Sequence, residues 1–117
     1  MNVELIADPQ SLARLCERIE SVSRVGLDTE FHTEKHFTPK LMVIQVAFED
    51  AVAIVDPLVL SDLQPLARAL AGTTVVGHAL SSDLRILDDA FGLLPAAAYD
   101  TQVAAAFCGY GMSISLL

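Results

Sequence analysis

The spacing of apolar residues changes period several times along the chain, and each change marks a predicted element. Val3-Glu4-Leu5-Ile6 reads as a short strand. Asp8-Pro9 then offers an N-cap followed by a proline suited to the first helical position. Leu12, Leu15, Cys16 and Ile19 recur at helical spacing with Arg14, Glu17, Arg18 and Glu20 on the other side, which predicts an amphipathic surface helix. Val25 to Phe31 is a second strand, and a polar loop through His32, Thr33, Glu34, Lys35 and His36 leads to Pro39. Leu41 to Phe48 is a strongly apolar strand. Glu49-Asp50 turns the chain into Ala51 to Val55, and so short a connection predicts an antiparallel hairpin.

Asp56-Pro57 stops that strand. Ser61-x-x-Gln64 reads as a capping box for a helix from Leu63 to Leu70, ended by Gly72. Thr74 to Gly77 is a further core strand. Leu80, Leu84, Leu87 and Phe91 then form a helical apolar stripe closed by Gly92 and Pro95, and Asp83 flanks it in the first turn, either favoured there by the helix dipole or partly buried at the strand–helix junction. Ala98-Tyr99 predicts a last short strand, with Asp100 capping a helix from Thr101 towards Cys108. Gly109 and Gly111 break that helix, and Met112 to Leu117 reads as the start of another element. A hairpin followed by strand–helix units predicts an α/β fold, a mixed sheet with helices on its faces. Sites in such folds gather at the carboxyl ends of the parallel strands.

Composition narrows the picture. The 117 residues suit one domain, and 53% of them are apolar, yet no run approaches the roughly 20 apolar residues that span a bilayer. The start lacks the basic and apolar regions of a signal peptide, so a soluble, cytoplasmic protein is expected. The apolar surplus also predicts surface that a further segment, a partner or a second copy would cover, a homo-oligomer among them. Cys16 and Cys108 read as small core residues without a disulfide or zinc site. A net charge of −8, with Arg24, Lys35, Lys40 and Arg85 scattered, argues against tight non-specific binding to nucleic acid. It leaves room for an enzyme whose metals bridge acids to phosphate.

The chemistry concentrates in Asp28-Thr29-Glu30. On a strand, Asp28 and Glu30 project from one side, roughly 6.6–6.8 Å apart. Two like charges beside a core call for a counter-ion, and hard oxygen ligands favour magnesium, manganese or calcium over zinc. The alternative is a strand end that has reached solvent. Asp83 and Asp100 follow two other strands, so the acids are expected to converge. Phe31 is a candidate platform for a terminal base, or a core residue. His78 could face a substrate phosphate, against the plainer reading of a histidine packed at a strand end. His32 and His36 beside Glu34 lie in a loop, where four-residue spacing does not aim two rings at one metal. Asp88-Asp89 reads as a solvated helix face, and Asp56 as a turn cap.

Asp28-Thr29-Glu30-Phe31, Leu41 to Phe48 with Gln45 inside it, Val55-Asp56-Pro57-Leu58, His78-Ala79-x-x-x-Asp83-Leu84, Asp100-Thr101-Gln102 and Ala106-Phe107-Cys108-Gly109 with Met112-Ser113 occur in that order. The ordered set resembles the ribonuclease D family of DEDD 3'–5' exonucleases, with the ribonuclease-H-like fold. The resemblance implies two Mg²⁺ or Mn²⁺ ions held by Asp28, Glu30 and Asp83, with the aspartate at 28 shared between them. It gives Asp100-Thr101 a structural role. It implies hydrolysis at single-stranded RNA 3' ends, transfer RNA precursors among them, with DNA left open. The family's third motif, a tyrosine four residues before a last metal-binding aspartate, has no counterpart after Asp100. The chain therefore reads as the N-terminal part of an exonuclease domain across residues 1–117, weak or inactive alone. The alternative is a catalytically silent module that keeps the fold and binds nucleic acid or itself.

Overall fold

The computed structural model describes residues 1–33, 39–92 and 94–111, and the predicted readings of Glu34, Lys35, His36, Met112 and Ser113 lie outside them. In chain order the elements are β1 (Asn2–Ile6), α1 (Pro9–Glu20), β2 (Arg24–His32), β3 (Lys40–Ala47), β4 (Ala51–Val55), α2 (Gln64–Ala71), β5 (Thr74–Gly77), α3 (Ser81–Phe91), β6 (Ala97–Asp100) and α4 (Thr101–Phe107). The strands form one mixed sheet in the order β1-β4-β3-β2-β5-β6. β2–β3 and β3–β4 are antiparallel, whereas β1–β4, β2–β5 and β5–β6 are parallel. The predicted α/β mixed sheet is thus the observed one.

Alternation along the strands decides which face is buried. Val25, Leu27 and Thr29 of β2, Ile44 and Val46 of β3, the odd positions of β4 and Val75 of β5 are all buried. All but Thr29 and Ala51 join Leu12, Leu15 and Ile19 of α1, Leu66 and Leu70 of α2, and Leu80, Ile86 and Leu87 of α3 in one core. The opposite side of β2 carries Gly26, Asp28 and Glu30, and both acids are exposed. A one-residue slip of β2 would bury the acids and expose the valine and leucine, so the apolar pattern itself fixes which way the carboxylates face.

Local signals hold α1 as expected: Asp8 Oδ1 accepts from the Gln10 and Ser11 amides. Three expectations need correction. The Ser61/Gln64 capping box does not form; Leu63 is the N-cap without a side-chain bond, and Asp62 Oδ1 takes the Gln64 amide. An aspartate one residue nearer the helix reaches that amide in a tight Asx turn and displaces the serine. Cys108 is exposed, because α4 has no buried residue. The α3 stripe shifts: Ile86 joins Leu87 on the buried side while Leu84 and Phe91 are only partly buried, and Asp83 takes the buried one of its two expected settings. That face includes i+3 and i+6 positions from Leu80 as well as i+7.

Candidate active site

β2 runs past the end of its parallel neighbour. Pairing with β5 covers Arg24, Val25 and Gly26 only, which leaves the backbone of Leu27 to Glu30 facing the gap above β5. Gly77 ends β5 because nothing larger fits: a Cβ there would lie 2.4 Å from Leu80 Cδ2 and 2.7 Å from the Leu27 carbonyl oxygen. The chain turns through His78 and Ala79 into α3, and Asp83 in the first turn of α3 fills the gap. Its Oδ1 accepts from the Thr29 amide at 3.0 Å and also from the Thr29 hydroxyl. The buried carboxylate therefore docks on the residue between Asp28 and Glu30.

This carboxylate is electrostatically loaded. Burial raises its pKa above the ordinary aspartate value, the Thr29 hydroxyl opposes that, and the nearby charge of Asp28 raises it again; the net direction is up. Asp28 Oδ2 accepts from Gln45 Nε2 at 3.4 Å, from the residue registered opposite it on β3. Glu30 is exposed on the same side of β2 as Asp28. Between Glu30 and Phe31 the β2–β3 register shifts by one residue, a bulge that re-aims the side chains beyond the acids.

A second group of bonds fixes where α3 begins. Asp100 Oδ1 accepts from the amides of Ala79 at 3.0 Å and Gln102 at 2.8 Å, and Oδ2 accepts from the amide of Leu80 at 2.9 Å. One carboxylate thus caps its own helix α4 and ties down the approach to α3, which has no side-chain cap of its own. Its burial would raise the pKa, but the Leu80, Gln102 and Ala79 amides outweigh that and lower it. Ala79 holds a left-handed φ of 54°, unusual for a residue with a Cβ. The Thr101 hydroxyl donates to the Gly77 carbonyl at 3.1 Å and lies 2.8 Å from His78 Nδ1. His78 is therefore engaged with the turn beside the site.

Phe31 is 39% exposed and lines a cavity of about 240 Å³ with Pro39, Ser81, Ser82, Arg85 and Ile86. Ser81 and Ser82 of the first turn of α3 form part of its wall. The carboxylate oxygens of Asp28 and Asp83 are hard donors, a chemistry that fits a divalent cation such as Mg²⁺ or Mn²⁺. Among the described residues no three His, Cys, Asp or Glu side chains, the predicted Asp28, Glu30 and Asp83 included, are grouped so as to hold a metal ion. Asp28 lies close enough for its charge to act on Asp83, while Glu30 is exposed on the same side of β2 as Asp28.

Sequence reasoning passed over Thr29, the Asp100 bonds to α3 and the pairing of Gln45 with Asp28. Gln45 carried a signal, since it is the one polar residue inside the apolar run from Leu41 to Phe48. Thr29 carried a weaker one, a buried-face hydroxyl on a strand otherwise lined by valine and leucine.

The chain matches the 3'-5' exonuclease family over residues 3–117. Ribonuclease D of Escherichia coli (strain K12) is 38% identical over 115 residues, 97% of this chain and 31% of that protein. Ribonuclease D of Serratia proteamaculans is 36% identical over 115 residues, with the same coverage of 97% and 31%. The crystal structure of Escherichia coli RNase D, described as an exoribonuclease involved in structured RNA processing, aligns with a TM-score of 0.92 over 99% of this chain and 32% of that one. Trypanosoma brucei RNase D, solved in complex with RNA U12, aligns with a TM-score of 0.77 at 16% identity, over 87% of this chain and 38% of that one, and so shares the fold. The chain spans about a third of the length of the ribonucleases D it matches.

Proposed function

The chain belongs to the 3'–5' exonuclease family as a ribonuclease D-like member, and on that premise we propose that it forms the N-terminal part of a metal-dependent exoribonuclease domain acting at RNA 3' ends. One observation carries the reading: buried Asp83 reaches across 54 residues of sequence to bond the residue that separates Asp28 from Glu30. A carboxylate buried beside another acid is costly unless a cation compensates it.

Asp28, Glu30 and Asp83 would hold divalent ions, with Mg²⁺ or Mn²⁺ the choice that carboxylate oxygens favour. Bound there, such ions would supply an activated water and charge relief at the scissile phosphate. The chain's own residues do the rest. Gln45 steadies Asp28, and Thr29 holds one oxygen of Asp83. Phe31 offers an aromatic face for the terminal base, while Arg85 and the hydroxyls of Ser81 and Ser82 offer donors to the adjoining phosphate in the same cavity. His78 contributes through the turn it braces with Thr101. RNA is the substrate class the named relatives favour, with transfer RNA precursors within it, and the cytoplasm is the compartment that fits it.

A second reading, a catalytically silent module that binds RNA or a second copy of itself, draws on one observation: no three-ligand cluster forms among the described residues. Incubation of the chain with Mn²⁺ and a 5'-labelled single-stranded RNA separates the two. Stepwise shortening from the 3' end that disappears in Asp28→Ala supports the enzyme. RNA binding that ignores metal, with no shortening, sinks it and supports the module.

A further inference from the structure

Four polar or charged side chains are buried among the described residues: Ser11, Thr29, Thr73 and Asp83. Ser11 is satisfied inside its own helix cap by Asp8, and Thr73 by the Val22 carbonyl. Those are local repairs. The remaining two are bonded to each other, and one of them is a candidate metal ligand.

Thr29 is 5% exposed and Asp83 is 6% exposed. The strand itself does not need the hydroxyl. A valine has nearly the same shape and an equal or better preference for strands, and the Thr29 amide would reach Asp83 whatever the side chain. A hydroxyl buried at this position costs free energy unless it is bonded, and its bond is to Asp83 Oδ1. Amide and hydroxyl therefore converge on one oxygen of the carboxylate, and neither bonds Oδ2.

We propose that Thr29 is a positioning residue of this site: it anchors Asp83 through Oδ1 and so presents Oδ2 to a divalent cation beside Asp28. The proposal rests on the metal-dependent reading above and adds a residue that touches neither metal nor substrate. Groups that orient a ligating carboxylate through its other oxygen typically govern metal affinity by about 10–100-fold.

The test is Mn²⁺ binding to the 117-residue chain, followed by the electron paramagnetic resonance signal of free Mn²⁺, with no RNA present. Thr29→Val, Thr29→Ser and Asp83→Asn are compared with the unaltered chain after circular dichroism has shown the native spectrum for each. Thr29→Val is expected to weaken binding by about 10–100-fold, and Thr29→Ser to restore most of the loss, because serine returns the hydroxyl. Should Thr29→Val lose the native spectrum, Thr29→Ala removes the same hydroxyl and is read the same way. Binding unchanged in Thr29→Val but weakened in Asp83→Asn overturns the positioning role and leaves the metal site standing. Binding by the unaltered chain no tighter than by Asp83→Asn overturns both.

Discussion

Replacing Asp100 by asparagine removes one charge and one acceptor while keeping the shape of the side chain. Its carbonyl oxygen can still take the Ala79 and Gln102 amides now held by Oδ1. The new amide nitrogen would then meet the Leu80 N–H now bonded to Oδ2, donor against donor. A hydrogen bond to a charged group contributes about 1.5–3 kcal/mol net, and the group left unsatisfied adds its own desolvation cost. Asp100 is only partly buried, so water offsets some of this, and we expect a loss of about 1–2 kcal/mol for Asp100→Asn and about 3 kcal/mol for Asp100→Ala. At about 4 °C per kcal/mol for a domain of this size, the asparagine variant should melt roughly 4–8 °C lower.

The assay is urea unfolding at pH 7 and at several acid values. Because the Leu80, Gln102 and Ala79 amides lower the Asp100 pKa against its burial, the carboxylate's contribution is complete above the unfolded-state value near 4 and is lost as pH falls through the lower folded one. The gap between the parent chain and Asp100→Asn should therefore be widest near neutrality and shrink below about pH 4. A variant within about 0.5 kcal/mol of the parent at pH 7 would refute the idea that this carboxylate ties strand β6 to the start of α3.

Further outcomes follow from the same geometry. Asp83 has the opposite sign: burial first, then Asp28, raise its pKa against the Thr29 bonds, so its ionisation lowers metal-free stability as pH rises from about 4 through the folded value. Metal-free Asp83→Asn should lose that slope in urea titrations and be at least as stable as the parent at pH 7; a less stable variant there contradicts the sign. Gly77→Ala should cost about 1–3 kcal/mol or more in urea unfolding, since the new Cβ would press on Leu80 and on the Leu27 backbone. Gly92→Ala meets nothing within 4 Å but carries a φ of 64°, so strain alone should cost about 1–2 kcal/mol. Ala79→Gly, at a φ of 54°, should instead be neutral or up to about 1 kcal/mol stabilising in the same urea unfolding.

The order of strands and helices was legible in the sequence because it rests on local signals. The apolar run from Leu41 to Phe48, the Glu49-Asp50 turn, the Asp8-Pro9 start and the Gly92 stop each act within a few residues, and β4 and β5 fall where the pattern puts them. The alternation in β2 also told which side Asp28 and Glu30 would take. What escaped was made by contacts between elements. Asp100 reads as a cap for its own helix, and nothing nearby announces that it also holds Ala79 and Leu80. The bulge after Glu30 depends on the register of β3. Which of its two settings Asp83 takes depends on β5 ending early enough for a helix to take its place beside Thr29. Cys108 looked like a core residue because an alanine-rich helix suggests burial, but α4 buries none of its residues against the rest of the described chain.

The most direct measurement is anomalous diffraction from crystals of the chain grown with Mn²⁺. The account predicts a peak at the rim shared by the Asp28 and Asp83 carboxylates, with Thr29 still bonded to Asp83, and no peak there in Asp83→Asn. Manganese bound elsewhere, or an empty rim at saturating Mn²⁺, would contradict it.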